Sequence, residues 1–287
     1  MADVIILGRG PAGISAALYT ARAKLNTVVL GKAGGSLEKA GKIENYFGFA
    51  EPVSGRELLE NGAAQARRVD AELVDAEAVD ISYDGKFTVS TEEKEYRAPF
   101  VILATGSVRK SPKTTGLAEF EGHGVSWCAV CDGFFYRGKD VAVLGAGSYA
   151  LHEAQVLLPI AHSVTILTDG VEPETEFPKK IPVLTEKIDS LYGETVLQGV
   201  RFASGAQKEI AGLFIALGVA GSVDFARKLG AEMNGAVIKV DESRRTSVPG
   251  LYAAGDCTGG LFQISKAVCD GAVAGTSVAR EFHEAVL

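Results

Sequence analysis

Short apolar runs that end at glycine, each followed by a stretch with helical spacing, recur along the chain. Asp3 to Leu7 is one such run. Gly13 to Leu25 (GISAALYTARAKL) places apolar residues at helical intervals, and Thr27 to Leu30 is a further apolar run. The pattern predicts a strand, a glycine turn, a helix and a parallel strand, the opening of a doubly wound sheet. The same order returns at Asp140 to Leu144, Gly145-Ala146-Gly147, a helical stretch to about Leu158, and Ser163 to Leu167. Pro159 has no N–H with which to continue a helix and is expected to end or kink it.

Phe100 to Thr105 and Leu251 to Ala254, each followed by glycine, read as buried strands that return the chain to the first sheet. The expected fold is therefore α/β, with two Rossmann-like domains, the second inserted in the first. Residues 1–110 and 243–287 are expected to form the first domain, and 111–242 the second. A chain of 287 residues is long enough for two cores.

Composition narrows the function. With 47% hydrophobic and 23% charged residues the chain reads as folded, and its 34 glycines cluster after apolar runs as phosphate-binding loops require. A formal charge of -7 argues against a nucleic-acid surface. The opening MADVIILGRG lacks a basic segment ahead of a cleavage site, and no apolar run approaches the roughly 18 residues of a membrane span. The expected location is the cytoplasm, with no membrane partner. Four cysteines are too few for a secreted disulfide scaffold and suit redox or metal chemistry in a reducing compartment.

Gly8-Arg9-Gly10-Pro11-Ala12-Gly13 lies between a predicted strand and a predicted helix, the context in which a glycine pattern cradles a pyrophosphate. Cys128-Ala129-Val130-Cys131 brings two sulfurs within reach of a disulfide, and Asp132 follows as a candidate proton donor or acceptor. A zinc half-site completed by His123 or by the other cysteines is the rival reading of that pair. Cys257 and Cys269 are expected to be buried apolar residues, with no metal site. Gly255-Asp256 ends a predicted strand at the edge where cofactors of doubly wound folds bind.

Taken together, the motifs resemble those of the low-molecular-weight thioredoxin reductases. Gly122 to Ala154 (GHGVSWCAVCDGFFYRGKDVAVLGAGSYALHEA) is similar to that family's active-site segment. GRGPAG at Gly8, GGSL at Gly34, IENYFG at Ile43, ILATG at Ile102 and PGLYAAGD at Pro249 follow in the family's order. The resemblance implies a homodimeric enzyme with FAD in the first domain. Cofactor contacts would come from Gly8, Gly10, Pro11, Ala12, Gly13, Gly35, Ser36, Asn45, Ala104, Thr105, Gly106, Gly255, Asp256, Gln263 and Ile264. It also implies that Cys128 attacks the disulfide of thioredoxin or a similar protein, that Cys131 faces the flavin, and that Asp132 is the nearby acid.

The chain departs from this family where the second nucleotide would bind. NADPH-dependent members have a His-Arg-Arg run for the 2'-phosphate, and this chain reads Thr168-Asp169-Gly170. A carboxylate there repels phosphate. Gly145, Gly147, Ala150 and Glu153 are kept, and Asp169 stands where an acidic residue would bind an NAD ribose. Against nicotinamide binding stand Pro159, the short second domain, and Phe262 in place of the family's Arg. The branch of the superfamily that takes electrons from ferredoxin resembles this chain in lacking the NADPH signature. Ferredoxin is thus the expected donor, with NADH and, less so, NADPH as alternatives, and Arg109, Lys110, Lys113, Arg137 and Lys139 as a candidate docking cluster. A dithiol oxidase on the same scaffold is the enzymatic rival.

Overall fold

The computed structural model describes residues 2–32, 37–106, 112, 114–218 and 221–286. Among these, the helices in chain order are α1 (Pro11–Arg22), α2 (Gly55–Arg68), α3 (Ala129–Asp132), α4 (Ser148–Leu157), α5 (Ser222–Lys228) and α6 (Ile264–Val286). The chain divides into two compact units. Met1–Arg109 and Gly221–Leu287 form the first, and Lys110–Ala220 the second.

The first unit is built on a parallel sheet of five strands in the order Leu251–Ala253, Phe100–Leu103, Val4–Leu7, Thr27–Leu30 and Glu72–Val74. Four of the five are buried along their whole length, which explains their unbroken apolar sequences. Val4, Ile6, Val29, Ile102 and Tyr252 from the sheet join Ala12, Ala16, Ala274 and Val278 of α1 and α6 in one core. This unit also holds a three-stranded antiparallel sheet (Asp80–Tyr83, Phe87–Ser90, Glu95–Ala98) and a short pair, Met233–Asn234 and Val237–Ile238.

The second unit repeats the architecture. Its parallel sheet has the order Val183–Leu184, Ser163–Leu167, Asp140–Leu144, Gly212–Ile215 and Val125–Ser126. A three-stranded antiparallel sheet, Ile188–Gly193, Leu197–Phe202 and Gln207–Glu209, shares its core through Leu191, Leu197 and Val200. Helix α4 stops at Leu157, so Pro159 terminates the helix instead of kinking it.

The second junction differs from expectation. It falls at Gly221, about twenty residues before 243, because α5 is tied to the first unit. Ser222 Oγ accepts from Thr105 N at 3.0 Å, and Ser222 N donates to Thr105 Oγ1 at 2.7 Å. Lys228 pairs with Asp80 in a half-buried ion pair.

Helices α1 and α6 meet at unusually short range. A side chain at Gly271 would begin 2.1 Å from the Ala12 carbonyl oxygen, which is backbone and cannot yield cheaply. Gly271→Ala should therefore cost about 1–3 kcal/mol, the usual range for overpacking. Chemical denaturation measures it, and a variant as stable as the parent would contradict this packing.

Candidate functional site

At the carboxyl edge of the first sheet, the turn after Val4–Leu7 brings Gly8 against the next strand. Gly8 has φ +116°, and a Cβ there would lie 2.2 Å from Ala104 O. The chain must therefore be glycine at this point to enter α1. Gly10 is different. It is the N-cap of α1 with ordinary φ, it supplies no capping side chain, and a Cβ on it would meet nothing within 4 Å. Protein packing does not demand glycine there, and open space beside the helix N-terminus, with Pro11 as first residue, fits the pyrophosphate of a dinucleotide.

Two further groups of expected cofactor residues directly follow strands of the same sheet. Ala104, Thr105 and Gly106 follow Phe100–Leu103, and Gly255-Asp256 follows Leu251–Ala253. Thr105 also carries the two hydrogen bonds to Ser222 described above. Asn45 Nδ2 donates to Gln263 Oε1 at 3.1 Å, joining residues 218 apart in sequence, and Ile264 opens α6 beside them. Gly35 and Ser36 lie outside the described residues. Burial pushes the Asp256 carboxyl above its ordinary range, while the charge of Lys266 pulls it down and that of Asp270 pushes it up.

Sequence reasoning missed Lys266. Its Nζ donates to Gly255 O at 2.7 Å and Thr258 Oγ1 at 2.8 Å, and pairs with Asp270 at 2.7 Å. The four-residue spacing of Lys266 and Asp270, which a helix sets on one face, was the available signal.

In the second unit Cys128 and Cys131 are joined as a disulfide, so the sulfurs are bonded to each other, unlike the zinc half-site reading. Cys128 is the N-cap of α3, and its sulfur accepts from Cys131 N at 3.1 Å. Ser126 Oγ donates to Asp132 Oδ2 at 2.6 Å and accepts from Cys128 N at 3.1 Å, holding the acid beside the pair. Ser126 is a second residue the motif did not reveal. Val130, Phe134 and Phe135 are exposed around the disulfide. Burial, and then the negative charge of Asp132, push the Tyr136 phenol above its ordinary range.

The second glycine turn is built like the first but filled differently. A Cβ at Gly145 would lie 2.1 Å from Ala216 O. At Gly147, which caps α4, the point a Cβ would occupy lies 3.2 Å from Glu174 Oε2, and Glu174 N donates to Ala146 O at 2.8 Å. Asp169 Oδ1 accepts from Ile188 N at 2.8 Å, so this carboxylate is engaged by the protein's own backbone.

A glycine turn fit for a dinucleotide and a disulfide flanked by a held acid define the class, a flavin-dependent disulfide oxidoreductase. Residues 2–271 match the family described as pyridine nucleotide-disulphide oxidoreductase, and the chain belongs to that family. Its members of thioredoxin reductase type are FAD flavoproteins, and FAD is the cofactor of this enzyme. The chain is 38% identical over 273 residues to thioredoxin reductase of Aquifex aeolicus, covering 88% of this chain and 84% of that one. Among solved structures it is similar to the atypical thioredoxin reductase TRi from Desulfovibrio vulgaris Hildenborough. There the identity is 42%, the TM-score 0.93 and the coverage 99% of both chains. It is also similar to a ferredoxin-flavin thioredoxin reductase from Clostridium acetobutylicum, at 29% identity and TM-score 0.75, covering 99% of this chain and 98% of that one. No helix among the described residues is long and apolar enough to cross a membrane.

The remaining cysteines divide. Cys257 is buried, as expected, and burial pushes its thiol up to about 12. Cys269 is exposed, against expectation, because it sits on the face of α6 turned away from buried Ala267, Asp270 and Gly271. With the disulfide intact, a maleimide at neutral pH should label Cys269 rapidly and Cys257 only on unfolding, read by mass spectrometry of peptides. Equal labelling of both in the folded enzyme would refute this placement.

Proposed function

We propose that this enzyme reduces thioredoxin, or a thioredoxin-like protein, through Cys128 and Cys131, and that its electrons come from ferredoxin or a similar one-electron protein. Bound FAD supplies the two electrons that open the disulfide. Gly8, Gly10 and Gly13 hold its pyrophosphate, Gly255 and Asp256 its ribityl chain, and Asn45 and Gln263 the region of its ring. The opened pair takes up two protons as it becomes a dithiol. Cys128 gives its proton to Asp132 and, as thiolate, attacks the partner's disulfide to form a mixed disulfide, and the expelled partner thiolate takes that proton from Asp132. Cys131 then attacks Cys128, releasing the partner as a dithiol and restoring the Cys128–Cys131 bond. A homodimer in the cytoplasm belongs to the same proposal and rests on the family resemblance.

The observation that carries the choice of donor is the Glu174 carboxylate over Gly147. A dinucleotide would place its diphosphate at that turn, against a like charge and against the strand of backbone that Glu174 N ties to Ala146 O. The bond from Ile188 N also takes one oxygen of Asp169, the group an NAD ribose would need. On the docking side, Arg137 and Lys139 are exposed, and Arg137 lies 4.8 Å over the Phe134 ring, next to the disulfide. Arg109, Lys110 and Lys113 lie outside the described residues. Opposite charge would steer an acidic donor and make its rate fall with salt.

The holoenzyme should be challenged without oxygen with NADPH, NADH and reduced ferredoxin in turn, following flavin bleaching and thioredoxin reduction. Salt-sensitive turnover with ferredoxin alone is the expected result, and steady turnover with NADH at low micromolar concentration would overturn it. Oxygen consumption on a dithiol, without thioredoxin reduction, would assign the oxidase chemistry instead.

Cys128→Ser should keep flavin reduction and abolish transfer. In Cys131→Ser a mixed disulfide with thioredoxin should be trapped through Cys128. Trapping only through Cys131, in the reciprocal variant, would reverse the two roles.

A further inference from the structure

Helix α4 begins at the second glycine turn, where a nucleotide-binding fold would aim it at a diphosphate. Here Glu174 stands at that end, and the opposite flank of the helix meets the redox segment. Glu153, 5% exposed, accepts from Ala129 N through Oε2 at 2.7 Å. One turn further along α4, Leu157 reaches Gly133, where a Cβ would come within 3.1 Å of its Cδ2. Residues 153 and 157 on α4 thus meet residues 129 and 133, four apart on each side, and the contact fixes the register of the Cys128–Cys131 segment on this helix.

We infer that Glu153 is a positioning residue that keeps the Cys128–Cys131 pair strongly reducing, by anchoring the first residue of α3 at its N–H and so holding a buried carboxylate beside the pair. This rests on the reading of that pair as the redox centre, and deepens it. Reduction consumes two electrons and two protons and turns a neutral disulfide into two thiols, one of which must lose its proton to act as nucleophile. Anything that stabilises the thiolate pulls the equilibrium toward the dithiol and makes the pair a weaker reductant. The backbone N–H groups that follow an N-cap cysteine are the natural donors to such a thiolate. Cys131 N already points at Cys128 Sγ. Ala129, the first residue of α3, is held by Glu153 through its N–H. The carboxylate adds to the negative field of Asp132, which Ser126 holds. That field disfavours a thiolate and favours the disulfide, so electrons leave the pair readily.

Glu153→Gln separates this role from simple bracing, since the amide oxygen can still accept from Ala129 N while the charge is gone. The measurement is the dithiol to disulfide ratio of purified holoenzyme equilibrated with glutathione buffers, read by alkylation and mass spectrometry. No electron donor or thioredoxin is present, so failure of the proposed donor or partner leaves the result standing. The dithiol fraction relative to disulfide should rise about tenfold in Glu153→Gln, equivalent to about 30 mV. Glu153→Ala should shift in the same direction, and serves if the glutamine variant does not fold. Exposed Glu194, in the same unit, gives the control Glu194→Gln, which should leave the ratio unchanged. An unchanged ratio in folded Glu153 variants, a shift toward the disulfide, or an equal shift in the control would each overturn the inference.

Discussion

Each unit turns on one steric constraint: where the first strand passes into its helix, the backbone runs so close to the neighbouring strand that no Cβ fits. In the first unit the crowding atom is Ala104 O, and in the second it is Ala216 O, at 2.2 and 2.1 Å from the absent Cβ. The equivalence extends to the hydrogen bonds. Ala104 N donates to Leu7 O at 2.7 Å, and Ala216 N to Leu144 O at 2.8 Å, each extending a parallel ladder one residue past its strand. That extra rung holds the turn against the sheet, and the turn in turn directs the helix N-terminus over the carboxyl edge. Substituting the glycine would push the helix from the sheet and remove the cradle with it.

With the same scaffold, the two cradles diverge one step further on. Gly10 opens on free space, whereas Gly147 opens on Glu174. A carboxylate is a poor neighbour for a diphosphate but a reasonable occupant of an empty helix end, since the N–H groups there favour an anion. In the second unit a side chain of the protein thus stands where the first unit has open space. The buried face of α4, with Ala150, Glu153, Ala154 and Leu157, meets the disulfide segment through Glu153 and Leu157. Glu174 and the redox segment therefore meet the same ten-residue helix.

The sequence was most informative where local pattern and tertiary environment agree. Strands buried on both faces read as unbroken apolar runs, and their ends fell within a residue or two of expectation, as at Asp140–Leu144 and Ser163–Leu167. The paired cysteines were legible because their chemistry needs only three residues of spacing. The affiliation of residues 221–242 was not, because it is decided by Ser222 with Thr105 and Lys228 with Asp80, which are 117 and 148 residues apart. Glu174 was invisible for the same reason: nothing in VEPETEF marks which of its acids meets a glycine turn formed 27 residues earlier. Cys269 was legible and misread. Ala267, Asp270, Gly271, Ala274, Gly275, Ser277, Val278 and Ala279 are buried positions of α6, and their helical spacing leaves 269 on the other side.

Among those buried α6 positions Asp270 is the unexpected one, a carboxylate 1% exposed. Burying it alone would be costly, and two cations compensate it, Lys266 at 2.7 Å and Arg244 at 2.9 Å. Apolar side chains of similar volume often hold a helix as well as such a network does, so stability is a weak reason for its presence. Its geometry supplies a better one. Gly255 sits in a left-handed conformation at φ +84°. Asp270 takes the Gly255 N–H at 3.0 Å, and Lys266 joins Thr258 on the Gly255 carbonyl, Lys266 Nζ at 2.7 Å beside Thr258 Oγ1 at 2.8 Å and Thr258 N at 3.0 Å. Lys266 also acts on the acid beside the turn: burial raises the Asp256 carboxyl, and the Lys266 charge works against that rise while the Asp270 charge adds to it. The network thus holds the backbone of the turn that presents Asp256.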